Sequence, residues 1–181
     1  MKKIILIAIV SILSCFTSRA EVYYYKSSSA YIGYGFSKIT ESYDGYSTSI
    51  DLNNIFIGVV YGEDSMVDIG CVLKYYFKDN FNVTYMGMPI HIKAGIPIGY
   101  YTSLYVAPGL TPVWGVSGSE GAFGSNGLMK RFNLALDGEI GLVFNDSVKL
   151  SIGYERSLFK VLNSDASNHL SSFKLSIGFL F

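Results

Sequence analysis

Residues 172–181 read Ser-Phe-Lys-Leu-Ser-Ile-Gly-Phe-Leu-Phe, and their pattern sets the fold class. From Phe173 every second residue is large and apolar: Phe173, Leu175, Ile177, Phe179, Phe181. Lys174, Ser176 and Gly178 between them are polar or small. Period-two alternation is the signature of a β-strand with two unlike faces. A solvated terminus seldom carries Phe-Leu-Phe, whereas a strand whose outer face meets lipid has a use for it.

Seven upstream segments repeat the pattern: residues 30–38, 50–61, 66–77, 82–95, 103–114, 130–144 and 148–158. Turn-forming residues at 62–65, 78–80 and 145–147 separate some of them, and polar stretches at 40–49, 115–128 and 160–171 read as loops. Residues 94–119 carry no charge, but Pro97, Pro108 and Pro112 rule out a spanning helix there. The expectation is an all-β chain, an eight-stranded antiparallel up-and-down transmembrane β-barrel, with the last strand closing on the first. Pro89 lacks an amide proton and is expected to break or bulge the fourth strand.

Alternation does not say which face points inward. Charged residues make up 15% of the chain, against about 25% in ordinary soluble domains. That leaves little to solvate an outer wall. One face collects Asp68, Lys74, His91, Lys93, Arg131, Asp137, Glu139, Lys149, Glu155 and Lys174. Four acids and five firm bases can neutralise one another inside a narrow barrel, where buried charges need partners. Tyr61, Tyr75, Phe77, Phe132, Phe144 and Tyr154 lie near strand ends, as aromatic girdles do. A soluble lipocalin-like ligand-binding barrel shares the period but turns its apolar face inward.

The opening residues set the compartment. Met1-Lys2-Lys3, an apolar run from Ile4 to Leu13, and Ser18-Arg19-Ala20 read as a secretory signal peptide over 1–20, with the barrel domain over 21–181. Ile12-Leu13-Ser14-Cys15 is the alternative, a lipoprotein box acylated at Cys15. Cleavage after Ala20 removes Lys2, Lys3 and Arg19 and leaves a net charge of −3. Nucleic-acid binding, which wants a basic excess, is not expected. Cys71 is then the sole cysteine, so no internal disulfide forms. No metal-ligand spacing and no cofactor fingerprint stands out.

Met86-Gly-Met-Pro-Ile-His-Ile-Lys93, Leu104-Tyr-Val-Ala-Pro-Gly109 and Ile177-Gly-Phe-Leu-Phe181 resemble the OmpA/OmpX-type small outer-membrane barrels and the wider porin-like β-barrel domain family. The resemblance implies a monomer in the outer membrane of a Gram-negative cell, among outer-membrane lipid and lipopolysaccharide. It also implies that Phe179 and Phe181 carry the signal read by the barrel-assembly machinery. Eight strands leave an interior filled by side chains, so an open pore is not expected. The role this implies is structural or surface-interacting, adhesion-like, with a host or envelope partner met through loops such as the one holding Tyr43-Asp-Gly-Tyr46.

The rival is a lipid A-modifying enzyme. His169-Leu-Ser171 has the His-x-Ser spacing of a base and its hydroxyl nucleophile. No Asp or Glu follows residue 169 to orient the histidine, and the segment reads as loop. His91, beside Lys93 on the polar face, reads as a histidine satisfied by interior partners.

Overall fold

The computed structural model describes residues 28–62, 66–124 and 127–181. The expected leader and most of the turn at 62–65 lie outside these residues. The strands are β1 Ser29–Tyr43, β2 Tyr46–Tyr61, β3 Val67–Lys78, β4 Phe81–Gly87, β5 Ile90–Ile92, β6 Ala94–Pro97, β7 Thr102–Gly118, β8 Phe132–Phe144, β9 Val148–Ser157 and β10 Ser167–Leu180. β4, β5 and β6 succeed one another along a single stave, so ten strands make eight staves. All neighbours are antiparallel, and β1 pairs with β10 from Ser29↔Leu180 to Ser42↔Ser167, which closes the ring. Closure removes the free edges that an open sheet would present.

Each strand keeps one parity inward. Asp68, Val72, Lys74 and Tyr76 of β3 are buried, while Val67, Ile69, Leu73 and Tyr75 are exposed. The same division runs through β10, with Ser172 buried and Phe173, Leu175, Ile177 and Phe179 exposed. Apolar side chains thus cover the outside and charges fill the inside. This is the reverse of a soluble ligand-binding barrel, and that alternative is set aside.

The fourth stave is broken where prolines remove its hydrogen bonds. Gly70 N donates to Pro89 O at 2.9 Å, but Pro89 has nothing to return. Met88 N donates to Pro112 O at 3.0 Å, and Pro112 likewise returns nothing. Two missing bonds on adjacent residues interrupt the strand at Met88–Pro89. Pairs Ile90↔Leu110 and Ala94↔Val106 set Pro108 opposite Ile92, beside the second interruption at Lys93. The expected change of register at Pro89 does not occur. Val72↔Gly87 and Ile69↔Ile90 belong to one register. The shift lies instead between Thr84 and Tyr85, opposite β7.

Two expected loops are shorter than the polar composition suggested. Residues 40–49 form strand on both sides of a two-residue turn, in which Asp44 has φ 44° and Gly45 φ 83°. Positive φ at both positions is the hairpin turn that Asp-Gly favours. Ser, Thr and Tyr flank it and suit a strand. Residues 167–171, expected as loop, extend β10.

Gly33 sits where β1 is most tightly packed. A Cβ there would strike the Phe56 ring and the Leu175 carbonyl oxygen. Gly33→Val is expected to lower the yield of folded barrel severalfold. The measurement is the fraction of refolded protein that migrates as the compact, unheated band on a gel.

Candidate functional site: a sealed ionic interior and a two-tone outer wall

The interior has three layers. In the middle, Glu155 of β9 accepts from Lys74 of β3 at 2.7 and 2.6 Å and from Lys174 of β10 at 2.9 Å. Asp137 of β8 meets His91 Nε2 at 3.0 Å, accepts from Thr111 Oγ1 at 3.0 Å, and lies 3.8 Å from Lys174 Nζ. Lys149 donates to Glu139, which also accepts from Ser151 and Tyr105. Lys93 pairs with Asp68 at 3.0 Å. Ser37, Ser172 and Asn54 extend the layer by hydrogen bonds of 2.8 and 2.6 Å.

Nine of the ten polar-face residues expected from sequence therefore meet inside the barrel. Arg131 does not, and that expectation is corrected. It has the inward parity of β8 but precedes the strand. Its side chain is exposed, with its guanidinium 5.3 Å from the Phe123 ring centre and Nη1 3.4 Å from Gly115 O. Without it the layer holds four carboxylates, four lysines and His91, so four acids face four permanent bases.

Apolar layers lie on both sides of these charges. Toward the loops, Ile39, Leu52, Tyr76, Val83, Tyr85, Val113 and Leu170 pack with Ala122, Met129 and Val161 from two inward-folded loops. Those loops bind each other: Met129 bridges Leu162, Lys130 N donates to Val161 O at 2.8 Å, and Asn163 N donates to Leu128 O at 2.9 Å, while Asn168 Oδ1 of β10 accepts from Val161 N and Leu162 N. Toward the termini, Tyr105, Ala107 and Val143 pack with Leu180. Voids among the interior side chains measure about 30 and 10 Å³, room for isolated waters rather than a channel. This apolar cap was not expected from the sequence, although its signal is there. Ile39, Leu52, Tyr76, Val83 and Val113 are all inward-parity residues near loop-side strand ends.

The other expected residues lie at the surface. Phe179 is exposed at the terminal end of β10, opposite Ala30 and Val148. Phe181 N donates to Ser28 O at 2.9 Å, and its ring is exposed. His169 and Ser171 lie on the outward parity of β10, beyond Phe173. Among the described residues no group of His, Cys, Asp and Glu could hold a metal.

No family model and no curated protein matches this chain. Solved structures do. Neisserial surface protein A is 13% identical over 84% of this chain and 97% of its own, with a TM-score of 0.50. The outer membrane enzyme PagL is 10% identical over 81% and 99%, with a TM-score of 0.51. The attachment invasion locus protein Ail of Yersinia pestis is 15% identical over 86% and 99%, with a TM-score of 0.40. At such identities the likeness is one of fold.

The fold is that of an OmpA/OmpX-type outer-membrane barrel.

In such a barrel the apolar belt meets hydrocarbon, and the outer membrane is where this wall is stable. The start of β1 at Ser29 and the end of β10 at Leu180 share one rim with the turns at 98–101 and 145–147. The opposite rim carries the longer connections at 119–131 and 158–166 and the β1–β2 hairpin. Short turns mark the periplasmic side and long loops the outside.

Breaking a buried ion pair from one side leaves a bare charge and costs about 3–5 kcal/mol, while replacing both partners with apolar groups is close to neutral. Glu155→Ala is expected to lose about that much, and Glu155→Leu combined with Lys74→Met and Lys174→Met, which removes the hub with both of its lysines, much less. Urea unfolding in detergent micelles measures both. Equal losses would mean that Glu155 is not the hub of the network.

Proposed function

We propose that this barrel is a surface-interaction protein of the outer membrane, with the β1–β2 hairpin as its contact element and no open pore. The carrying observation is the hairpin's exposure. Residues 42–51 are exposed on both faces, with Tyr43 at 65% and Tyr46 at 83%. From Phe36 to Tyr43 the arm rises about 23 Å at the usual rise of a strand. β3 pairs with β2 only as far as Asn53↔Phe77. The β2 edge from Tyr46 to Asp51 therefore has no strand beside it among the described residues. Exposed tyrosines supply amphipathic contact area, and an open edge offers backbone hydrogen bonds to an extended segment. The filled interior supports the absence of a pore.

Cells displaying Tyr43→Ser with Tyr46→Ser are expected to adhere severalfold less to host-cell and abiotic surfaces than cells displaying equal amounts of the parent barrel. Unchanged adherence would remove the hairpin from the role. In planar bilayers the purified protein is expected to give no steady conductance, and a stable open channel would overturn the closed-barrel reading.

A second reading keeps the enzyme class, because β10 turns His169 and Ser171 the same way at the lipid boundary. No carboxylate follows His169, so the base lacks the partner it would need from its own strand. Mass profiles of lipid A from cells with and without the protein test it. A lost acyl chain that is restored by His169→Ala would favour it over the interaction role.

A further inference from the structure

The outer wall of β1, β2, β9 and β10 is ordered in rows fixed by the strand register. Ile57, Ile32, Ile177 and Leu150 form one row, continued by Leu142 and Leu104. Ile55, Tyr34, Leu175 and Ile152 form the next. Above them stand Phe36, Phe173 and Tyr154, and directly above those Asp51, Lys38, Ser171 and Arg156. Going outward, the wall changes from aliphatic to aromatic to cationic within three residue pairs. Two hollows lie on this same wall. The lower, of about 930 Å³, is lined by the two aliphatic rows. The upper, of about 570 Å³, is lined by Phe36, Phe173 and Tyr154 together with Lys38 and Ser171.

We infer that this wall is a docking site for one outer-leaflet glycolipid, whose phosphates meet Lys38 and Arg156 and whose acyl chains lie in the aliphatic hollow below. The inference rests on the outer-membrane reading and on the rim assignment, not on the adhesive role. Charge and depth select the occupant. Lys38 and Arg156 are both exposed and stand on either side of β10, about 10 Å apart at the usual strand spacing. That separation suits a head group carrying more than one phosphate. Lys38 has a carboxylate nearby, Asp51 at 3.5 Å, while Arg156 has none among the described residues. Lys78, a third cation, also lines the upper hollow. The local balance is therefore cationic. Guanidinium and ammonium groups bind phosphate oxygens through charge-assisted hydrogen bonds. They do so most strongly where the neighbouring surface excludes water. Ser171 lies between the two cations and offers a hydroxyl to the same head group.

The test uses the refolded barrel in nanodiscs doped with bisphosphorylated lipid A, lipid A stripped of phosphate, or phosphatidylglycerol. Native mass spectrometry counts the lipid retained. The parent protein is expected to retain the bisphosphorylated form about tenfold better than either other lipid. Lys38→Ala with Arg156→Ala is expected to abolish that preference, and Leu175→Ala with Ile152→Ala to weaken retention of all three. Each variant is first checked for the compact unheated gel band. Equal retention by parent and double-alanine barrels overturns the proposal, as does equal retention of phosphatidylglycerol. If millimolar inorganic phosphate strips the lipid, the acyl hollow contributes nothing and the proposal also fails. Survival of the lipid against phosphate supports it. None of these readouts depends on adhesion, so the two readings fail separately.

Discussion

Hydrocarbon offers no hydrogen-bond partner, so every backbone amide and carbonyl in the wall must find one inside the sheet. The pairing of β10 with β1 meets that demand by turning an open sheet into a ring. The rest follows from it. Once the ring closes, one parity of every strand faces lipid and the other faces a lumen too narrow for bulk water. Charges on the inner parity then have to be neutralised by one another. Glu155 does so with two lysines from two different staves, and so ties β3 and β10 together across the barrel.

The three-layer interior is what supports the closed-barrel proposal. A wet polar lumen would conduct ions along its charges. Here apolar side chains cover the ionic layer on both sides. On the loop side the cover is built from strand residues such as Ile39 and Val83 and completed by Met129 and Val161 from loops that hydrogen-bond to each other. Ala122, Met129 and Val161 of those loops go into the cap, while Leu128, Leu158 and Phe159 stay exposed. The β1–β2 hairpin stands apart from these loops, and its tyrosines stay exposed.

Much of this was legible in the sequence because a strand's period is two and its faces here differ sharply. Strand number, closure partner, lipid-facing residues and nine of the ten interior polar residues could all be read from parity. Parity failed where a residue left the strand, as Arg131 does. Composition misled at 40–49, where Ser, Thr and Tyr look like loop but lie on strand, and only Asp44-Gly45 turns. Pro89 was rightly read as a break. The expected change of register there did not follow, because the pairings on both sides of Pro89 keep one register with each neighbouring stave. The apolar cap escaped because its loop residues reveal their burial only once the chain has folded back.

The gathering of Pro89, Pro108 and Pro112 on two adjacent staves has a mechanical consequence. A closed barrel resists deformation through its ladder hydrogen bonds, which act like stitches along each seam. This seam lacks stitches over a short stretch, and the contact of His91 Nε2 with Asp137 lies just behind it. Stiffness around the circumference is therefore uneven. The wall is most compliant along the fourth stave and most rigid around β1, where fourteen consecutive residue pairs to β10 and fifteen to β2 are in register. Sideways pressure from the bilayer would be taken up at the prolines, and the hairpin continuing from β1 and β2 would stand on the firm side.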